Sequence, residues 1–376
     1  MHKNTILFLN AVHFSLDDRV FYHQAQSVVK NQEHAVICSS IDSVKTRIEN
    51  IDFQSTDMTH LSFLKKILAL ALQVRHIKPN IIICDSPIAV FAAFIAKTNN
   101  RHKIIYDITE WYPSKKNLIT TSPISIIPKA FFLILISVLA GILSDKFIFG
   151  EYYKSIPFKK LFFWKKSIIL PYYPNLKYLK KSNKSIINNE INLLYAGFIN
   201  KDKGIVNVFN TVQELADIEP NLTIKLNIIG KFTSENDSLI FNEFIKRKSP
   251  NIIITRIDFL PFKEFCNEIS KNDICLDLRQ IDFENNRCLP IKLFYYIACG
   301  KPVIYSNLKS IQHDVPNFNF GYLCNPNDSR TIASHITNYI NEMDLYQIAC
   351  KNAIIESTKN YNWELIEKSF LDFIRN

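Results

Sequence analysis

The sequence predicts an α/β protein made of two doubly wound parallel-sheet domains. Three features carry that expectation: short, wholly apolar runs alternate with amphipathic stretches, the series occurs twice along 376 residues, and several of the few glycines fall where such runs end. A chain of this length can bury two cores. Its 47% apolar and 21% charged residues are a globular composition, which excludes a disordered chain and a multi-span membrane protein.

In the first half, "TILFLN", "HAVICSS", "NIIICD", "KIIYD" and "KFIFG" read as buried parallel strands, separated by helical stretches such as "DRVFYHQAQSVVKN" and "HLSFLKKILALALQVRH". The lysine- and asparagine-rich segment 176–190 reads as a linker between a domain over 1–175 and one over 191–355. The second series runs "INLLYAG", a helix from Gly204, "LTIKLNIIG", a helix from Ser238 to Lys248, "NIIIT", a helix near Phe262, "DICLDL", a helix from Leu289 to Cys299, and "PVIYS". Gly300, Pro302 and the β-branched pair after them mark helix, sharp turn, strand. Both series are Rossmann-like. Residues 356–376 close the chain as one amphipathic helix with Trp363, Leu365, Ile366, Phe370 and Phe373 apolar.

Eight cysteines without paired spacing argue against zinc sites and a disulfide framework, and read as buried thiols of a reducing cytoplasm. The amino terminus has no hydrophobic stretch with a cleavage site, so secretion is not expected. Net charge is +10, and nine lysines against two glutamates lie between Glu151 and Glu190, interleaved with aromatics in "IPFKKLFFWKK". That stretch reads either as a solvated face with a linker or as a peripheral contact with an anionic membrane surface, Trp164 and Phe162 or Phe163 entering the interface while Lys159, Lys160, Lys165 and Lys166 face headgroups. No nucleic-acid module accompanies the basic residues, and no nucleic-acid partner is expected. Residues 130–143, "AFFLILISVLAGIL", would make ~21 Å of helix, short of the ~30 Å of a span. They read as a buried helix of the first domain, with a re-entrant or monotopic membrane element as the alternative.

Of seven glycines, Gly197, Gly204 and Gly230 fall where a strand ends or a helix begins. Such positions take positive φ or let backbone approach a ligand. Open parallel sheets bind ligands beyond the carboxyl ends of their strands, so the second domain is expected to hold a phosphate-containing ligand there. No G-x-G-x-x-G or Walker sequence is present.

Six stretches carry a family resemblance: "LDDRV", "KIIYDITEWYP", "LLYAGFINKDKGI", "LPIKLFYYIACGKPVIYS", "FGYLCNPND" and "KPNIIICDSP". They resemble the family 4 glycosyltransferases of the GT-B fold over nearly the whole chain. The fourth is the most specific, being similar to that family's P-x-K-x-x-E-Y-x-A-x-G-K-P-V-I signature. The resemblance implies two Rossmann-like domains facing each other across a cleft, transfer of sugar from a nucleotide sugar with retention of anomeric configuration, and neither a structural metal nor a cofactor beyond the donor.

The resemblance also distributes roles. Cleaving a sugar–phosphate bond leaves charge on the diphosphate, which cations and helix N-termini stabilise. Lys203 matches the motif lysine and adjoins the helix starting at Gly204; a solvated loop lysine is the plainer reading. Pro290 and Lys292 fall in the fourth signature. The motif arginine is Phe198 here, the ribose-holding glutamate is Tyr295, and the position eight residues before it, often a glutamate for the donor sugar, is Arg287, with Glu284 or Asn286 as substitutes. Arg287, with Lys292, is the expected second cation on the diphosphate; pairing with Asp282 or Glu284 in solvent is the alternative. On the acceptor side, Thr109 replaces the motif histidine, leaving Asp107 and Glu110 at a strand end, Glu110 as the candidate catalytic carboxylate. Asp18 and Arg19 read as an acceptor-side pair or as a helix turn, and His13 as a cleft-facing or a structural histidine.

Three functions follow as expectations. One is a cytoplasmic, membrane-associated glycosyltransferase acting on a glycan or lipid-linked acceptor in surface polysaccharide biosynthesis. The others are a nucleotide-sugar epimerase-type enzyme and a non-catalytic GT-B paralogue.

Overall fold

A computed structural model describes residues 4–31, 34–97, 102–118, 122–181 and 189–376. The chain divides into two compact units, Met1–Tyr172 with Ile366–Asn376, and Tyr173–Leu365.

The first unit holds an eight-stranded sheet: β1 (Asn4–Leu9), β2 (His34–Ser39), β3 (Arg47–Ile48), β4 (Ile51–Phe53), β5 (Ile81–Cys84), β6 (Lys103–Ile108), β7 (Lys146–Phe149) and β8 (Ser167–Ile169), in the order β3-β4-β2-β1-β5-β6-β7-β8. All pairs are parallel except β3–β4. A π-helical segment, Asp18–Ala25, runs into α1 (Gln26–Lys30). The other helices are α2 (Phe63–Ile77), α3 (Pro87–Ile95), α4 (Lys115–Leu118), α5 (Pro123–Leu143) and α6 (Tyr152–Leu161). Leu7, Ile82, Ile104 and Phe147 meet buried residues of α2, α3 and α5 in one core, which places these helices over one face of the sheet.

The expectation of a buried helix over 130–143 is corrected. α5 is 21 residues long, and only its last two turns turn a face inward, at Ile136, Ser137 and Ala140. By length and composition, Ile124–Leu143 is apolar enough to cross a membrane.

The second unit carries a six-stranded, all-parallel sheet of β9 (Glu190–Ala196), β10 (Thr223–Ile229), β11 (Ile252–Ile257), β12 (Ile274–Asp277), β13 (Val303–Ser306) and β14 (Gly321–Cys324), ordered β11-β10-β9-β12-β13-β14. Its helices are α7 (Ile205–Ile218), α8 (Glu235–Arg247), α9 (Phe262–Ser270), α10 (Ile291–Ala298), α11 (Lys309–Asp314), α12 (Ser329–Asn341) and α13 (Met343–Lys359), and the chain closes with α14 (Trp363–Arg375). Leu193 and Tyr195 of β9 pack with α7 and α12 on one face, while Leu194 and Ala196 pack with α10 on the other. Helices on both faces explain why residues 193–196 of this strand are a continuous apolar run.

Of the expected linker, 182–188 lie outside the described residues, and Leu176–Tyr178 forms a 3-10 turn of the second unit. The closing helix does not begin at 356: Asn362 interrupts it, its side chain accepting from Leu365 N at 3.1 Å and donating to the carbonyls of Ser357 and Thr358. α14 then begins in the second unit and ends in the first.

Candidate functional site

In the second unit the strand order reverses at β9, with β10 on one side and β12 on the other. Such a switch point opens a crevice at the carboxyl ends of the strands. Gly197 follows β9 with φ 141°, and the loop after it ends at Gly204, φ 85°, the N-cap of α7. A Cβ at Gly204 would overlap the Leu278 carbonyl beyond β12, so only glycine admits this approach. The Tyr195 hydroxyl holds the loop, within reach of the carbonyls of Phe198 (2.7 Å) and Lys203 (3.1 Å). Gly230 lies beside it, its own Cβ position filled by the Gly197 carbonyl.

Three cations collect around one carboxylate here. Asp277 ends β12; Arg279, two residues on, grips it with Nε at 2.7 Å and a second nitrogen on the other oxygen. Lys292, in the first turn of α10 after its N-cap Pro290, donates to the Ala196 carbonyl and stands 4.0 Å from Asp277. Lys203 donates to Asn285 Oδ1 at 2.9 Å. Burial and then Arg279 push the Lys203 ammonium below its ordinary value. Burial brings Lys292 down to about 8 against the pull of Asp277. Burial also opposes the charge of Asp277, but Arg279, Lys292 and Lys203 outweigh it and hold the carboxyl below its ordinary value. The cluster keeps a net positive charge beside the N-terminus of α7, an arrangement suited to a polyanion.

Two expected donor residues are placed elsewhere. Arg287 neither joins Lys203 and Lys292 nor pairs with Asp282 or Glu284: its guanidinium lies 4.0 Å over the Phe283 ring and donates to the Phe283 carbonyl at 3.1 Å. The cause is the 3-10 turn Asn285–Arg287, pinned by Asp282 accepting from Glu284 N and Asn285 N. Arg279 is the cation that joins the lysines, and neither it nor Asp277 was singled out in the sequence. Tyr295 is buried, its ring edge-on against Phe262 and Phe265. Asn286 accepts from Lys309 N, and Phe198 is half-exposed against Phe259.

In the first unit a pocket opens at the carboxyl ends of β1, β5 and β6, lined by His13, Asp17, Arg19, Asp85, Asp107, Thr109 and Tyr172 among others. Asp85, which ends "IIICD" and was also missed, accepts from the backbone N–H groups of Ala11, Val12 and His13 at 2.9–3.2 Å. Burial pushes its carboxyl up, partly offset by His13 and these N–H groups. His13 stands 3.3 Å from Asp17. Burial favours its neutral form, but Asp17, Asp85 and Glu110 prevail and raise it to about 9. Glu110, half-buried past the end of β6, thus belongs to this group electrostatically.

Of the two expected acceptor-side residues, Arg19 pairs with Asp107 and not with Asp18. Arg19 Nε and its terminal nitrogen each donate to Asp107 at 2.8 Å, a third nitrogen donates to the Leu170 carbonyl, and the guanidinium lies 4.1 Å over Tyr172. Gln24 also donates to Asp107. Arg19 and Asp107 are thus a buried ion pair that also lines this pocket. Asp18 accepts from Arg19 N at the helix start. Among the described residues, no group of three or more His, Cys, Asp or Glu comes together as a metal site, and all eight cysteines are free thiols.

Two parallel-sheet α/β units with these topologies define the GT-B fold. No family model and no curated protein matches the chain. Among solved structures, sucrose-phosphate synthase from Thermosynechococcus elongatus matches with TM-score 0.77 at 14% identity, covering 99% of this chain and 98% of that one. A glycosyltransferase from Rickettsia africae matches with TM-score 0.70 at 14% identity, over 100% and 98%. HepE of Anabaena, solved with UDP-glucose, matches with TM-score 0.71 at 13% identity, over 99% of each chain.

Proposed function

We propose that this chain is a retaining glycosyltransferase that moves a sugar from a nucleotide-diphosphate donor to a glycan or lipid-linked acceptor in surface polysaccharide biosynthesis, at the cytoplasmic side of a membrane. The observation that carries it is the cluster of Lys203, Arg279 and Lys292 at the switch point of the second sheet, beside the glycine-capped start of α7. Breaking the bond from the sugar C1 sends its electron pair onto the diphosphate, and three cations with a helix N-terminus stabilise that charge as it develops. HepE, of the same fold, was solved with UDP-glucose, so uridine nucleotides head the donor panel. His13, Asp85 and Glu110 are the acceptor-side polar groups, with Glu110 the carboxylate to test first.

Nucleotide-diphosphate protection in a thermal shift screen, followed by transfer assays with a nucleotide-sugar panel and anomeric NMR of the product, tests this reading. The burial of Tyr295 and the loss of the motif arginine at Phe198 favour a second reading, a non-catalytic paralogue. It predicts no turnover with any donor.

A further inference from the structure

We infer that the helical layer of the first unit docks on an anionic lipid bilayer, with α5 lying in the interface and not crossing it. This inference is independent of the proposed transferase activity.

The outer side of α5 is as apolar as its inner side. Ile124 is 91% exposed, Ile127 78%, Phe131 67% and Phe132 55%, and Leu135, Leu139 and Ile142 continue the outward row where a water-facing helix would carry polar groups. The surface extends beyond α5. α3 packs on it and α2 packs on α3, and α2 turns Leu64, Leu68 and Leu72 outward at four-residue spacing. At the other end of α5, Gly141 abuts Phe162, next to which Phe163 and Trp164 project.

Charge identifies the occupant. None of α2, α3, α4, α5 and α6 contains an aspartate or glutamate, in a chain with 35 of them. These helices carry Lys65, Lys66, Arg75, Lys129, Lys159 and Lys160 instead. An apolar face on helices whose acidic residues are absent and whose charges are cationic complements anionic headgroups over acyl chains. A second copy of the same face would set like charges against each other. Two lysines do not contribute. Lys165 caps the carbonyls of Gly141, Ile142 and Ser144, and Lys154 pairs with Glu151, so the earlier assignment of Lys165 to headgroups is corrected.

The fold argues for lying on the bilayer. α5 is long enough to span, but only Ser144 and Asp145 separate it from β7, which is paired with β6. Crossing would pull Val138, Ala140 and Leu143 out of the core they share with the sheet.

The test is co-sedimentation of the full chain with phosphatidylcholine vesicles, with and without phosphatidylglycerol. Binding is expected with the anionic lipid, at least tenfold weaker without it, and falling with salt. Ile127→Glu with Phe131→Glu, both at exposed positions, should lower it at least tenfold with an unchanged melting temperature. Lys159→Glu with Lys160→Glu should remove most of the salt dependence. Quenching of Trp164 by brominated lipid, lost in Trp164→Phe, reads insertion in the unaltered fold. A chain left in the supernatant with anionic vesicles overturns the inference. So does salt-insensitive binding that resists alkaline extraction, which means a span. So does a dimer dissolved by the Ile127 and Phe131 changes without any lipid binding.

Discussion

The guanidinium of Arg19 and the carboxylate of Asp107 meet in a two-pronged, buried ion pair, both contacts 2.8 Å, tying the helix after β1 to the end of β6. The pair is held further by the Leu170 carbonyl, which accepts from Arg19, and by Gln24, which donates to Asp107. Removing one partner strands the other charge in the core. Arg19→Ala is therefore expected to destabilise the first unit by about 3–5 kcal/mol, read by denaturant unfolding. A loss below about 1 kcal/mol, the worth of an exposed pair, would contradict the structural role and restore an acceptor-side one.

The donor assignment separates Arg279 from Arg287. If Lys203 and Arg279 hold a diphosphate, Lys203→Ala should cost on the order of a hundredfold in turnover, and Arg279→Ala should weaken nucleotide-diphosphate binding by roughly 1.5–3 kcal/mol. Arg287→Ala should leave affinity unchanged, since its guanidinium is engaged with Phe283. Phe198→Arg, at a half-exposed position, should tighten binding. Calorimetric affinities for the four variants decide it. The reverse ranking, with Arg287→Ala the damaging change, would return the second cation to Arg287.

The His13–Asp17 pair makes stability depend on pH in the alkaline range. His13 titrates at about 9 when folded, against an ordinary value near 6.5. The folded state therefore binds a proton more tightly than the unfolded one. That stability is fully present below about 6.5 and is lost as pH rises through about 9, on the order of 1–3 kcal/mol at most. Melting temperatures from pH 6 to 10 for the native chain and His13→Gln test this: the variant should lose the fall between about 6.5 and 9. Parallel curves would exclude the charged pair.

The runs that both faces of a sheet enclose were legible in the sequence: "INLLYAG" and "DICLDL" are β9 and β12, because burial on both sides leaves no polar alternation to misread. β3, β4, β8 and β14 went unnoticed, being two to four residues long and incompletely buried. Lys203, Gly204 and Lys292 could be found because they fall inside stretches that resemble the family's motifs. Arg279 could not, because its partnership with the two lysines exists only once β9 and β12 pair across some eighty residues. Arg287 misled for a local reason, the turn that Asp282 imposes. With α5, composition gave the apolar character but not the side on which water or neighbours lie.

Asp277 has a consequence for proton traffic. It is the carboxylate that faces all three cations, and its pull does not offset burial, which brings Lys292 down to about 8 and holds Lys203 below its ordinary value. A diphosphate arriving beside them would raise both. Binding is then expected to draw protons from solution above neutral pH, so that the heat measured in titration calorimetry varies with the ionisation enthalpy of the buffer, and affinity declines as pH rises beyond about 8. Identical heats in phosphate and Tris would place the nucleotide away from these lysines. Ligand capture and proton uptake would be one event in this fold.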